Sequence, residues 1–312
     1  MELKELTSEE YRNVFSDPYH IFNKLDFNLM NAKAKGITIK CLAFRTKKFR
    51  LGLIGAIVDN KFISPFSAPF GGFSYTSQEV SLELIDEAVD LFLNYCCTNC
   101  ITQVHITLPP LFYEESFISK LANSLFRKKF YIEKVDLNYS IHLDKEASSY
   151  IDSLHYNAKK NLNIALAKGF NITKCQTLTE KELAFEIIKK NRKIKGYPLR
   201  MTFDDISKTI SIINADFFLV DFGKEVVAAA MIFHVAEDIV QVVYWGDLPD
   251  YGMNKTMNFL SYSIVEHYCS TQIKIVDIGP STEDSIPNYG LCDFKESIGC
   301  KVFPKMSWAI EL

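Results

Sequence analysis

Apolar and polar positions follow two rhythms along this chain, one of about two residues and one of about 3.6, and the switches between them mark its elements. Thr7 followed by Glu10 has the spacing of a capping box and predicts a short helix that stops near Asp17-Pro18. Alternation over 37–46, 51–58 and 61–65 predicts three strands, with Asp59-Asn60 as one of the tight turns. The run Ser64 to Phe73 holds two prolines and Gly71-Gly72, so it reads as a loop, and its apolar content predicts that it is packed down. Thr76 and Glu79 predict the start of a long helix with Val80, Leu84, Ala88, Leu91 and Tyr95 on one stripe. A strand at 101–107 ends at Pro109-Pro110, followed by a helix at 115–126 and a strand at 129–142.

The second half opens with a helix predicted at 145–168 and stopped by Gly169, then a strand from Asn171 to Cys175. Thr179 and Glu182 predict the next helix start, and Gly196-Tyr197-Pro198 its end. A short helix at 203–213 precedes strands at 216–221, 226–235 and 239–246. A helix at 254–269, a strand at 273–278, a helix at 289–298 and a strand at 301–311 complete the chain. Both halves therefore close on the same run: three strands, helix, strand, helix, strand. The offset between matching elements is roughly 170 to 180 residues, which implies a duplicated fold by element order, without a residue-level repeat.

Composition narrows the class. Hydrophobic residues make up 48% and charged residues 23%, which implies a full core and not a disordered chain. Residues 1–143 carry 16 basic and 16 acidic residues, and 144–312 carry 19 and 22. Neither half is a basic body, which argues against nonspecific duplex binding. Met1 to Glu10 is acidic without an apolar core, unlike a signal peptide. The most apolar stretch, Val226 to Trp245, is broken by His234, Glu237 and Asp238 and reads as two strands. The eight cysteines make no spaced framework, so reduced thiols in a cytoplasmic protein are expected. Cys97-x-x-Cys100 lacks a second pair at zinc-finger spacing and reads as structural, and the scattered histidines suggest no metal site.

Several local strings carry a family resemblance. They are the Ser64 to Phe73 loop, Tyr244-Trp245-Gly246, Asp277-Ile278-Gly279-Pro280-Ser281-Thr282, Asn288-Tyr289-Gly290-Leu291, and Phe294-Lys295-Glu296 with Gly299. In this order, on two successive α/β halves, they resemble the FemAB-like (Fem-type peptidyl transferase) group of the GNAT acyltransferase superfamily. The resemblance spans nearly the whole chain. It implies α/β domains with mixed sheets in tandem. Residues 1–143 would form a degenerate GNAT-like domain that positions the acceptor, and 144–312 one that binds the donor and carries the chemistry. Fem-type enzymes transfer an amino acid from aminoacyl-tRNA to an amine of a cell-wall precursor, so the implied reaction is amide-forming acyl or aminoacyl transfer from aminoacyl-tRNA or acyl-CoA to an amine. An acyl-CoA-dependent N-acetyltransferase and a non-catalytic GNAT-fold ligand-binding protein are the alternatives.

Amide formation develops negative charge on a carbonyl oxygen, so the chemistry calls for a fixed donor in a dry cleft. The resemblance gives that role to Lys295, through the dipeptide Phe294-Lys295; taken alone, Lys295 reads as a solvated lysine at a helix C-terminus. Asp277, at the end of a strand, is the candidate to orient an amine or accept its proton through water, or else a turn residue. Tyr244 and Trp245 are expected beside a gap between splayed strands, with Ser281, Thr282, Asn288 and Phe294 as further substrate contacts. Acyl-CoA-binding GNATs carry a glycine-rich turn whose backbone N–H groups cradle a pyrophosphate. That place here reads Asp250-Tyr251-Gly252-Met253-Asn254-Lys255. Gly252, Asn254 and Lys255 are the candidates for such a grip, while the misfit of Met253 and Asn254 weakens it. Lys189, Lys190, Arg192 and Lys193, continued by Lys195 and Arg200, form a basic run fit to meet tRNA or a phosphate-bearing acceptor, or else a solvated helix end.

Overall fold

The computed structural model describes residues 1–143 and 147–312. They form two compact units. The first comprises Met1–Leu137, Glu283–Ile286 and Phe303–Leu312, and the second Asn138–Thr282 and Pro287–Val302. The expected boundary after residue 143 falls at 144–146, outside the described residues. Among the described residues no helix is long and apolar enough to cross a membrane.

In the first unit the order is β1 (Glu2–Glu5), α1 (Ser8–Val14), α2 (Leu25–Lys35), β2 (Ile39–Arg45), β3 (Phe49–Val58), β4 (Lys61–Ser64), β5 (Phe73–Tyr75), α3 (Leu82–Thr98), β6 (Gln103–Thr107) and α4 (Glu115–Arg127). Strand β7 (Tyr131–His142) passes from one unit into the other. The strands run β1-β2-β3-β4-β6, antiparallel except for the parallel pair β4–β6, with β5 returning to pair with β3. The expected capping box of Thr7 and Glu10 is present. The loop at 64–73 is packed down as expected: Phe70 is fully buried, and Asn23 Nδ2 donates to the carbonyl of Gly72.

The second unit continues with α5 (Ala147–Ser153), α6 (Tyr156–Leu166), β8 (Asn171–Lys174), α7 (Leu178–Lys195), α8 (Phe203–Ile210), β9 (Ala215–Phe222), β10 (Glu225–His234), β11 (Ile239–Asp247), α9 (Thr256–Cys269) and β12 (Ile275–Pro280). The two-residue strands β13 (Thr282–Glu283) and β14 (Ile286–Pro287), helix α10 (Tyr289–Ser297) and strand β15 (Lys301–Glu311) end the chain. Its strands run β12-β11-β10-β9-β8, with β11–β12 the parallel pair, and α7 and α9 pack on the sheet. Val226 to Trp245 does form two strands, and residues 227–232 are fully buried between the helices and the sheet core.

Four expectations need correction. The long helix of the first unit starts at Ser81, whose side chain accepts from the N–H of Leu84; Thr76 instead donates its hydroxyl to the Phe49 carbonyl. Its buried stripe is accordingly Ile85, Ala88, Val89, Phe92 and Cys96. Helix α7 is capped by Thr177 with Glu180, not by Thr179 with Glu182. The helix expected at 145–168 is two helices, broken at Leu154-His155. Helix α2 and strands β1 and β5 had no predicted counterpart.

Candidate functional site

The second unit holds a place where paired strands part. Parallel partners on β11 and β12 are Ile239 with Ile275, Val240 with Val276 and Gln241 with Asp277, and the pairing stops there. Beyond it, β11 continues to Asp247 on its β10 side alone. Both strands carry an irregularity at the exit. The register of β11 on β10 shifts so that Val243 is left over, and that of β12 on β7 shifts so that Ile278 is left over. An extra residue in one strand bends it and raises its twist, which is how two neighbours come to diverge.

Asp277 sits at the point of divergence and is fully buried. Its Oδ1 accepts from Asn138 Nδ2 at 2.7 Å and from the N–H of Gly279 at 2.8 Å, and its Oδ2 accepts from Gln241 Nε2 at 2.7 Å. Gln241 belongs to β11 and Asp277 to β12, so this carboxylate ties the last paired residues together. A buried charge needs such a shell of donors. Gly279, which has positive φ, turns the chain just after the tie.

Lys295 comes from α10, whose start is fixed by Asn288: its side chain accepts from the N–H of Leu291. The lysine is 4% exposed. Its Nζ donates to the carbonyls of Gly279 and Pro280, each at 2.9 Å, and lies 5.3 Å from the ring centre of Tyr139. Burial pulls its pKa down to about 8, with Cys300, Asp277 and Cys292 acting in the opposite sense. The expectation of a lysine at the end of a short helix is met, but the side chain is turned inward to the diverging strand and not out to solvent. An ammonium has three donors, and two are engaged here.

Around this lysine the structure gathers most of the sequence candidates. Trp245 on β11 meets Phe294 of α10 edge-on, with ring centres 6.2 Å apart. Ser281 and Thr282 are buried just past β12, and the Ser281 hydroxyl has no hydrogen-bond partner among the described residues. Asn288 Nδ2 also reaches the Tyr197 hydroxyl at 3.3 Å. Tyr244 lies under the guanidinium of Arg192, 4.7 Å from it. Gly246 is required locally, because a Cβ there would fall 2.4 Å from Asn191 Cγ.

Other candidates stand apart. Residues 249–254 wind into a 3-10 turn in which the Gly252 carbonyl accepts from the N–H of Lys255, and Lys255 itself is left-handed. The Gly252 position faces the carboxylate of Asp247, 3.9 Å from where a Cβ would stand. The turn therefore sits beside an acidic side chain, an unfavourable setting for a pyrophosphate on Gly252, Asn254 and Lys255. In the basic run, Lys189 pairs with Glu186, Lys195 lies 3.6 Å from Asp247, and Lys190 and Lys193 are exposed. His234 and His267 belong with Lys174, Asp216 and Tyr268: Asp216 Oδ2 meets His234 Nε2 at 3.0 Å and accepts from the Tyr268 hydroxyl at 2.8 Å. The sequence reading missed Tyr139, Tyr197, Asn138 and Gln241, which reach the site only through the folding of distant segments.

No protein-family model matches the chain, and no curated protein matches it. Among solved structures it is similar to FemX, with a TM-score of 0.71 at 12% identity, covering 100% of this chain and 98% of that one. It is also similar to L-PGS from Bacillus licheniformis, with a TM-score of 0.58 at 11% identity over 98% and 92% of the two chains. A tandem GNAT protein from the clavulanic acid biosynthesis pathway gives a TM-score of 0.53 at 8% identity over 99% and 98%. At these identities the likeness is one of fold: the chain shares its fold with FemX and with a tandem GNAT protein.

Proposed function

We propose that this chain forms amides by transferring an acyl or aminoacyl group from an activated ester or thioester to an amine, with the reaction housed in the second unit. The observation that carries this reading is the divergence of β11 from β12 after Gln241 and Asp277, with the buried Nζ of Lys295 held at the opening. A neutral amine attacks the donor carbonyl and forms the C–N bond, charge collects on the carbonyl oxygen, the bond to the leaving oxygen or sulfur breaks, and the proton released by the amine passes through water to that leaving atom. Lys295, with two donors anchored to the Gly279 and Pro280 carbonyls, has one left for that oxygen or for the leaving group. A single well-placed donor is worth about 3 kcal/mol, or about a hundredfold in rate.

For Asp277 we propose a positioning role. Both of its oxygens are occupied at 2.7 to 2.8 Å, which fits a carboxylate that holds two strands and not one that awaits a proton. Its fully buried state supports the same view. For the donor, the acidic setting of the turn at 249–254 favours aminoacyl-tRNA over acyl-CoA, and the exposed Lys190 and Lys193 beside Lys189 on α7 suit a phosphate backbone. FemX and L-PGS share this fold, as described above. For the first unit we propose binding of the acceptor amine.

The test is product detection by mass spectrometry, with charged tRNAs and acyl-CoA offered in turn against a panel of amines. An amide product should form with the wild type, and Lys295→Ala should slow it by about a hundredfold while leaving the melting temperature within a few degrees. Turnover unchanged in Lys295→Ala would remove the assignment, and a product only with acyl-CoA would reverse the donor preference.

A further inference from the structure

Among the described residues the guanidinium of Arg192 is a half-buried cation without a carboxylate partner. Three other arginines have carboxylate partners although their side chains are considerably exposed: Arg12 with Asp26, Arg45 with Glu2 and Arg127 with Asp86. Among the described residues Arg192 has no carboxylate within 4 Å, and its Nε donates to the carbonyl of Pro198 at 2.9 Å. Its Cζ lies over the ring of Tyr244, 4.7 Å from the centre, and 6.0 Å from the ring centre of Tyr197. Burial lowers its pKa, Tyr244 and Tyr197 oppose that, and Arg200 adds a second positive charge nearby.

Each of these contacts fixes the side chain without neutralising it. Nε is taken and the Tyr244 ring lies against the guanidinium, so the two terminal amino groups remain as an anchored fork. That fork matches a carboxylate or phosphate in bidentate fashion. Taking a guanidinium partly out of water without an opposite charge is costly, and structures retain such a group where a ligand supplies the charge. The surroundings place the fork at the site. Tyr244 is on β11 just past its irregularity at Val243, and the Tyr197 hydroxyl accepts from Asn288, the residue that caps the Lys295 helix.

We propose that Arg192, anchored by the Pro198 carbonyl and the Tyr244 ring, is the anion-receiving residue of this site and binds a carboxylate or phosphate group of a substrate. The word substrate rests on the transferase reading above. The binding itself does not, because it is read without turnover, and it stands or falls independently of Lys295.

The experiment uses the full chain and isothermal titration with inorganic phosphate and, separately, with acetate. Saturable binding of either anion is expected in the wild type, and Arg192→Gln should weaken it by about ten- to a hundredfold. Arg192→Lys keeps the charge but loses the fork and should also weaken binding, which guards against a variant that merely misfolds. Tyr244→Leu removes the ring against the guanidinium and should weaken binding as well. Saturation by phosphate alone identifies a phosphate-bearing ligand, and saturation by acetate a carboxylate. Equal affinities in the wild type and Arg192→Gln, with both folded by circular dichroism, or no saturation by either anion, would overturn the proposal.

Discussion

A buried lysine with a depressed pKa leaves a thermodynamic trace. Lys295 titrates near 8 in the folded chain against an ordinary value of 10.5. Because its folded pKa is lowered, its charged form is disfavoured in the fold, and the resulting cost, about 3 kcal/mol, is full below pH 8 and fades as pH rises towards 10.5. Lys295→Met should therefore gain relative to the wild type at neutral pH. That relative gain should shrink as pH is raised from about 8 to 10.5. The Gly279 and Pro280 carbonyls left unpaired in the variant impose a penalty that does not vary with pH, so the slope and not the offset is diagnostic. Melting temperatures of both proteins across that window check it; a pH-independent difference would mean that the ammonium is solvated. Lys295 was legible in the sequence because it stands in a recognisable dipeptide. Arg192 was visible only as one charge in a basic run. What separates it from Lys190 and Lys193 is the ring against its guanidinium, that of Tyr244, which lies more than fifty residues away, a distance in sequence that no local pattern spans.

At the scale of elements, the placement of strands and helices was largely readable and their starts were not. The segment Thr177-Leu178-Thr179-Glu180-Lys181-Glu182 contains two overlapping cap patterns. The earlier one wins because Glu180 accepts from the N–H groups of both Gln176 and Thr177, and the helix starts about half a turn sooner. Helix α2 escaped notice because its inward face includes Asn28, which donates to the carbonyls of Phe22 and Lys24 and so breaks the apolar stripe. The join of α7 to β11 is tighter than any pattern predicts. Asn191 fills the space a side chain at 246 would occupy and donates to the Asp247 carbonyl at 2.6 Å. Gly246→Ala should thus cost about 1–3 kcal/mol through overpacking, and Asn191→Ala about as much through the lost bond and cavity. The two losses should not add, since removing Asn191 makes room for the new methyl group. Urea melts of the four proteins in the cycle measure this. Strict additivity would show that the close approach is absent.

At the scale of the whole molecule, the chain does not divide at a single cut. The first unit takes Phe303–Leu312 from the far end of the sequence. There β15 pairs antiparallel with β6 from Ser307 opposite Thr107 to Glu311 opposite Gln103, and it buries Trp308 and Ala309. Element order revealed the duplication but not this exchange, because a final strand of alternating residues carries no mark of which sheet it joins. The pairing has a testable consequence. A chain ending at residue 302 should lose protection from hydrogen exchange in β6, since one edge of that strand becomes open and Trp308, whose truncation alone would cost about 3–5 kcal/mol, is gone from the core. The amides of β10 and β9 in the second unit, paired among themselves, should stay protected. A synthetic peptide spanning 303–312, added back to the shortened chain, should restore β6 protection in a concentration-dependent way. Were β6 equally protected without the tail, the last strand would be an appendage of the first unit and not a part of its sheet.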